Sequence, residues 1–136
     1  MKVLVDTSVW SLVLRRRVRS RDDALADELE RLIVTYRVVM IGPIRQELLS
    51  GIKEAAQFEL VRKRLRGFLD TEITVDDYES AAAFYNRCRE SGIQGSSTDF
   101  LICAVAVRHG LSIFTADDDF RHFAKVLPIA LYVADR

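Results

Sequence analysis

The chain has 136 residues, enough for one domain with a full hydrophobic core and too few for two. Hydrophobic residues make up 49% of the chain, which excludes a disordered protein, and no apolar run reaches the roughly 18 residues that a membrane span needs. Lysine plus arginine and aspartate plus glutamate are 20 each, so the zero formal charge gives no bulk attraction to nucleic acid but permits a local one.

Strands and helices alternate along the chain. The predicted strands are short apolar runs at residues 3–5, 38–41, 112–115 and 129–133, with a candidate edge strand at 72–75. One helix is predicted after each of the first two strands, and another begins at 22–23. Further helices are predicted at 54–68, 76–90 and 100–107, with a short last helix around 120–123. This alternation predicts an α/β fold for the single domain 1–136, with a central, mostly parallel sheet and helices on both faces.

Apolar spacing predicts which faces of these helices are buried. In the helix over 54–68, the residues expected to face inward are Phe58, Val61, Leu65 and Phe68. Asp76 and Glu79 have the spacing of a capping box. The helix that they open is expected to face inward with Tyr78, Ala82 and Tyr85. The unbroken apolar run at 100–107, stopped by His109-Gly110, predicts a buried helix.

Carboxylates directly follow two of the predicted strands. Asp6 comes after the first strand, and Asp117-Asp118-Asp119 follows the strand at 112–115. Parallel strands end at one edge of a sheet, where open α/β sheets place their ligands, so we expect both groups at one site. Glu47 lies in the second turn of a helix that begins at the same edge. Asp99 opens a helix whose starting edge cannot be decided from spacing alone.

Four acidic segments, in this order, resemble the PIN domain and, more narrowly, the VapC ribonuclease toxins of type II toxin–antitoxin modules. The segments are Asp6–Ser8, Gln46–Gly51, Ser97–Ile102 and Thr115–Phe120. The resemblance covers essentially the whole chain. It implies four to five strands in the order 3-2-1-4-5, and it implies that Asp99 joins the other acids. It also implies an Mg²⁺- or Mn²⁺-dependent endoribonuclease that inhibits translation.

Crowded carboxylates explain why such a site would use a cation. Two unit charges about 4 Å apart repel by about 4 kcal/mol at an effective dielectric constant of about 20, and a divalent ion removes that repulsion. Oxygen ligands without cysteine or histidine select hard ions such as Mg²⁺ and Mn²⁺. An ion of this kind activates a water molecule for attack on a phosphodiester and stabilises the leaving oxygen.

Each acidic residue has an expected role in that chemistry. Asp6 and Asp99 are predicted to bind the metal directly, and Asp117 directly or through water. Glu47 is predicted to orient the attacking water or to complete a second metal site. Three neighbours are expected to support the site: Thr115 and Asp119 by holding the acids in place, and Ser8 by contacting the scissile phosphate. Asp118 is expected to be exposed.

The expected partners come from the resemblance. It implies an RNA substrate of the tRNA or rRNA class, a small VapB-like antitoxin protein that covers the acidic groove, and a homodimer. The basic clusters at 15–21 and 62–66 are interpreted either as solvated surfaces or as RNA contacts. Cys88 and Cys103 lack metal-ligand spacing, and the N-terminal run lacks a signal-peptide pattern, so reduced thiols in a cytoplasmic protein without membrane contact are predicted.

Simpler interpretations exist for the same residues. Asp6 and Asp99 are also suited to capping helices, Glu47 to a solvated helix face, and Asp117–Asp119 to an acidic turn. At the level of function, one alternative is a catalytically idle PIN-like domain that binds RNA or protein. The other is a phosphotransfer protein, but a phosphatase would need an acid where Ser8 stands and a receiver domain would need a lysine at Thr115-Ala116.

Overall fold

A computed structural model describes residues 1–14 and 23–134, so the arginine-rich segment 15–21 lies outside the described residues. The strands are β1 (Val3–Val5), β2 (Val38–Val39), β3 (Ser112–Phe114) and β4 (Ala130–Leu131). The helices are α1 (Thr7–Leu14), α2 (Asp23–Val34), α3 (Gly42–Leu49), α4 (Ala55–Leu65), α5 (Val75–Glu90), α6 (Ser97–His109) and α7 (Asp119–Ala124). Among these, no helix has the length and apolarity to cross a membrane.

The four strands form one parallel sheet in the order β2-β1-β3-β4. Strands β1 and β3 are neighbours at the point where the strand order reverses, and Val5 pairs with Phe114 in their register. The chain therefore leaves both strands side by side, and the backbone N–H of Asp6 donates to the carbonyl of Phe114 at 2.8 Å. The predicted α/β fold with a parallel sheet is confirmed, and this register brings the residues after both strands to one place.

The predicted edge strand at 72–75 is wrong. A single parallel bridge between Met40 and Asp70 lies at that side of the sheet instead. The chain then turns directly into α5, because Thr74 and Asp77 form the capping box that was expected at Asp76 and Glu79. Thr74 N–H donates to Asp77 Oδ2 at 2.9 Å, and Asp77 N–H donates to Thr74 Oγ1 at 3.3 Å.

The predicted inner face of α5 is also wrong. Tyr78 is 56% exposed and Tyr85 is 42% exposed, and Ala82 is exposed as well. The buried residues are instead Asp77, Ala81, Phe84 and Cys88. The rotation of the helix is fixed by an ion pair with α6, in which Arg108 Nε donates to the buried Asp77 Oδ1 at 2.7 Å. A one-residue error in choosing the face corresponds to a rotation of about 100°.

The remaining helices follow their apolar patterns with one exception. Leu29 and Leu32 of α2 are buried, and the central residues of α6 are buried as predicted. In α4, which ends at Leu65 rather than at residue 68, Val61 and Leu65 are buried, but Phe58 is 36% exposed. Arg62 in the basic cluster pairs with Glu59 of the same helix.

Gly95 sets the approach of the chain to α6. A Cβ atom at this position would lie 2.5 Å from Phe123 Cζ and 3.0 Å from Phe100 Cε2, which is closer than side chains approach. Phe100 and Phe123 are buried and pack with ring centroids 5.0 Å apart. Only a residue without a side chain lets the loop lie on these rings, so Gly95 helps to determine where the first turn of α6 is placed.

Candidate active site

A cleft of about 590 Å³ lies at the carboxyl edge of the sheet. Its walls come from the residues after β1, from α3, from the first turn of α6 and from Asp117 in the loop after β3. The lining residues are Asp6, Thr7, Ser8, Pro43, Gln46, Glu47, Ser50, Thr98, Asp99 and Asp117. The structure therefore brings the four sequence-predicted acids to one cleft, including Asp99, whose edge the spacing left open.

Asp6 is the most buried of these acids, with 5% of its surface exposed. Its Oδ2 accepts hydrogen bonds from Ser8 Oγ at 2.8 Å and from Thr115 Oγ1 at 2.9 Å. Each hydroxyl also accepts from the backbone beyond β3: Ser8 from the N–H of Ala116 at 2.9 Å, and Thr115 from the N–H of Asp117 at 3.0 Å. The backbone donors orient both hydroxyl protons toward Asp6, so the two strand ends are joined around its carboxylate.

Asp117 lies on the same side of the cleft, and its Oδ1 accepts a hydrogen bond from the backbone N–H of Asp119 at 2.9 Å. Asp119 thus holds Asp117 through its main chain. The side chain of Asp119 is exposed and is not part of the cleft lining. Asp118 is exposed, as expected, and faces Arg121 at 3.8 Å.

Asp99 both caps a helix and lines the cleft, which were the two alternative interpretations of this residue. It closes the capping box of α6, because Ser96 N–H donates to Asp99 Oδ2 at 3.0 Å and Asp99 N–H donates to Ser96 Oγ at 3.1 Å. It also lines the cleft. Burial raises the pKa of Asp99 above its ordinary value, the Ser96 hydrogen bonds oppose this, and the nearby charges of Asp6 and Asp117 raise the pKa further.

Glu47 is exposed on α3 and accepts a hydrogen bond from Thr7 Oγ1 of α1 at 2.6 Å. The buried face of α3, with Ile44 and Leu48, points to the core. The opposite stripe faces the cleft with helical spacing i, i+3, i+4, i+7, and its members are Pro43, Gln46, Glu47 and Ser50.

Sequence reasoning gave no site role to five of the lining residues, namely Thr7, Pro43, Gln46, Ser50 and Thr98. Three of them were accessible from helical spacing, since Pro43, Gln46 and Ser50 share the stripe of Glu47. Thr7 and Thr98 are each adjacent in sequence to a predicted acid, which is a weaker signal because neighbouring residues in a helix point in different directions.

The lining residues are of the type that binds a hard divalent cation, but their side chains do not lie close enough together to hold one. The titratable lining residues are four carboxylates, with no histidine or cysteine among them. Within residues 1–14 and 23–134, however, no three acidic, histidine or cysteine side chains are grouped closely enough to hold a metal. Each acid accepts a hydrogen bond from another residue. From these positions the side chains would have to move closer together to hold one ion.

The titration of Asp99 gives a first test of this arrangement. We expect the Asp99 carboxyl to titrate above the ordinary aspartate pKa. The Asp6→Asn substitution should lower the pKa of Asp99 because it removes one nearby negative charge. The pKa should still stay above the ordinary value, because burial, the larger cause, remains. Site-resolved NMR of the carboxyl carbon across a pH series measures both values, with Asp118→Asn as the control. An unchanged pKa in Asp6→Asn would show that the two carboxylates do not interact.

Comparison with known proteins agrees with this fold. The PIN domain family matches residues 3–126. VapC ribonuclease Mb1587 of Mycobacterium bovis and Ribonuclease VapC11 of Mycobacterium tuberculosis are each 32% identical over 130 residues, covering 91% of this chain and 92% of theirs.

Solved structures show the same fold at lower identity. FitAcB from Neisseria gonorrhoeae has a TM-score of 0.72 at 19% identity and covers 96% of both chains. VapBC2 from Rickettsia felis, bound to a DNA fragment from its promoter, has a TM-score of 0.75 at 15% identity, over 99% of this chain and 100% of that one. At identities this low, structural similarity shows only that the fold is shared. The match to the family and the relatives at 32% identity also show which family the chain belongs to. The chain therefore belongs to the PIN domain family and, within it, to the VapC group.

Proposed function

We propose that this protein is a divalent-metal-dependent endoribonuclease and the toxin of a VapBC-type toxin–antitoxin module, which inhibits translation by cleaving RNA. The observation that carries the proposal is the acidic cleft at the carboxyl edge of the sheet, which is lined by four carboxylates from separate parts of the chain. The names of the relatives at 32% identity, both called ribonucleases, support the same activity.

The roles proposed for the chain's residues follow from their positions. Asp6, Asp99 and Asp117 would hold the ion, and Glu47 would complete the site or orient the attacking water. When bound, a divalent ion would supply activation of that water and stabilisation of the charge on the phosphodiester. The hydroxyls of Ser8 and Thr115 keep Asp6 in a fixed orientation. Thr7 does the same for Glu47, which otherwise projects from an exposed helix face.

Ser8 is less available to the substrate than the sequence indicated. Its Oγ donates to Asp6 and accepts from Ala116 N–H, so its single proton is already in use. We therefore assign Ser8 to the orientation of Asp6 rather than to the scissile phosphate, which the Ser8→Ala substitution would affect only through Asp6.

The proposed partners are an RNA substrate of the tRNA or rRNA class, a VapB-like antitoxin protein and a second copy of the chain. The antitoxin is supported by the names of the structural neighbours, which include a toxin–antitoxin complex from Klebsiella pneumoniae with a TM-score of 0.66 at 21% identity. An antitoxin that neutralises the activity would have to block access to the acidic cleft.

One observation favours a second candidate, a catalytically idle domain. The four acids are hydrogen-bonded locally and, within the described residues, do not form a metal-holding group. An idle domain would keep the acids in those bonds with or without a divalent ion.

The two candidates differ in a direct experiment. Purified protein without antitoxin is incubated with end-labelled tRNA and rRNA, with Mg²⁺ or Mn²⁺ and with excess chelator. We expect discrete cleavage products with either ion and none in chelator. Cleavage that persists in chelator would exclude metal dependence. Absence of cleavage with both ions, for a protein shown to be folded, would favour the idle domain.

A further inference from the structure

In the described part of the chain, the walls of the cleft carry negatively charged side chains and no positively charged ones. Of the ten lining residues, four are acids and none is a lysine, arginine or histidine. RNA brings further negative charge to this place, so no lining side chain attracts the phosphates. Beyond a bound cation, contacts between these walls and the substrate must therefore come from the uncharged groups of the lining.

Gln46 is the lining residue best suited to such a contact. It is exposed on the cleft face of α3, directly before Glu47. Among the described residues, none forms a hydrogen bond with the side-chain amide of Gln46, whereas its backbone carbonyl accepts from Ser50 N–H and Ser50 Oγ, each at 2.8 Å. The amide is therefore free to bind, while the turn of helix beneath it is held in place.

The neighbouring residues fix Gln46 relative to the proposed reaction centre. Ile44 and Leu48 anchor α3 in the core, and Glu47 is bonded to Thr7 of α1 across the cleft wall. Gln46 and Ser50 lie one turn apart on the same stripe as Glu47, so a nucleotide whose phosphate reaches the acids would place its base within the reach of this helix face.

A primary amide has the chemistry to distinguish bases. It offers two donor hydrogens and an acceptor oxygen, and its donor–acceptor pair matches the N7 acceptor and N6–H donor on the Hoogsteen edge of adenine, where guanine presents two acceptors. In single-stranded RNA such edges are open to side chains. We propose that Gln46 determines specificity, and that its amide binds the base edge of an unpaired nucleotide, preferentially adenine, next to the scissile bond. This inference rests on the proposed ribonuclease function.

Cleavage of a library of randomised single-stranded RNA, followed by sequencing of the product ends, tests the proposal. We expect the wild-type protein to enrich adenine at one fixed position beside the cut. The Gln46→Ala substitution should reduce that enrichment about tenfold, because one two-point base contact is lost. Rates on the least preferred sequences should change much less, since Gln46 does not touch the reacting atoms.

Gln57→Ala is the matched control, because Gln57 is also helical but lies on α4 and outside the cleft lining. It should leave the sequence preference unchanged. In the Asp99→Asn background, where cleavage is expected to be slow enough for binding to be measured, the affinity for an adenine-containing RNA over its adenine-free counterpart should show the same loss on Gln46→Ala.

The possible outcomes separate the two proposals. Absence of a base preference in the wild type, the same preference in Gln46→Ala, or an equal loss in Gln57→Ala would overturn the role of Gln46 while leaving the nuclease intact. A wild-type protein that cleaves no RNA would overturn both. Thermal unfolding of each variant shows whether a lost preference is a folding defect.

Discussion

Replacement of Asp99 by asparagine should reduce RNA cleavage by about a thousandfold. The substitution removes one negative charge from the cleft and leaves the shape of the side chain nearly unchanged. If Asp99 holds a cation that contributes several kcal/mol to stabilising the reaction, about 4 kcal/mol of loss corresponds to that factor. Single-turnover cleavage of end-labelled RNA, with the ion in excess, measures the change in the chemical step.

The fold should tolerate this change. The pKa of Asp99 is raised in the folded protein, so the charged form of this residue is less favourable there than in the unfolded chain. At neutral pH, replacing it by an uncharged asparagine therefore removes an unfavourable charge and should not reduce stability. The asparagine oxygen can still accept from Ser96 N–H. The unfolding temperature without divalent ions should therefore be equal or higher.

Asp118→Asn is the control for this prediction. Asp118 carries the same charge in an exposed position of the loop after β3, outside the cleft. Its substitution should change cleavage less than about threefold, in keeping with the weak effect of exposed charges. A divalent ion should raise the unfolding temperature of the wild type and of Asp118→Asn but not of Asp99→Asn. Full cleavage by Asp99→Asn would show that Asp99 is not part of the proposed metal site.

The placement of Asp6 and Asp117 could be predicted because it depends on strand direction alone. Each follows a short buried strand, and parallel strands end at the same edge. The register of β1 against β3, in which Val5 pairs with Phe114, then brings Thr115 next to Asp6. No helix packing enters this argument, so an apolar run followed by an acid is sufficient information.

Asp99 depends on information that spacing does not contain. It lies at the start of a helix that precedes its strand, so its position depends on how α6 packs between α5 and the sheet. The close contact of Gly95 with Phe123 and the capping box with Ser96 fix that position. The capping box is a local pattern, but the contact of Gly95 with Phe123 joins residues from different elements and no local pattern reveals it. Only the resemblance to a family implied where Asp99 would lie.

The error in α5 has a related cause. Tyr78, Ala82 and Tyr85 form an apolar stripe, but the face actually buried includes the charged residue Asp77. A hydrophobicity pattern places an aspartate outside by default, because the cost of burying a charge is offset only by a specific partner. That partner, Arg108, is 31 residues away in sequence.

The ion pair between Asp77 and Arg108 is the basis of a second prediction. The Asp77→Ala substitution should lower the free energy of unfolding by about 3 kcal/mol. Asp77 is 1% exposed, and Arg108 donates to it twice, from Nε at 2.7 Å and from Nη2 at 2.8 Å. The side chain of Arg108 is 37% exposed, so the loss is smaller than for a fully buried pair, but the capping bond to Thr74 N–H is lost as well. Chemical denaturation at neutral pH measures the difference.

Asp76→Ala is the matched control, because Asp76 lies in the same first turn of α5 but is exposed. It should cost less than about 1 kcal/mol, the range of a charge near a helix N-terminus. Equal destabilisation by both substitutions would show that the pair with Arg108 contributes nothing beyond the charge of the first turn.

The pH dependence of stability distinguishes the ion pair from simple packing. The hydrogen bond from Arg108 lowers the pKa of Asp77 in the folded protein, against the opposing effect of burial. A carboxyl with a lowered folded pKa contributes its full stabilisation above its unfolded pKa, about 4, and loses it as the pH falls through the folded value. The stability difference between wild type and Asp77→Ala should therefore be constant near neutral pH and shrink below about pH 4. A difference that stays constant at low pH would mean that Asp77 acts on α5 and α6 through its shape and not through its charge.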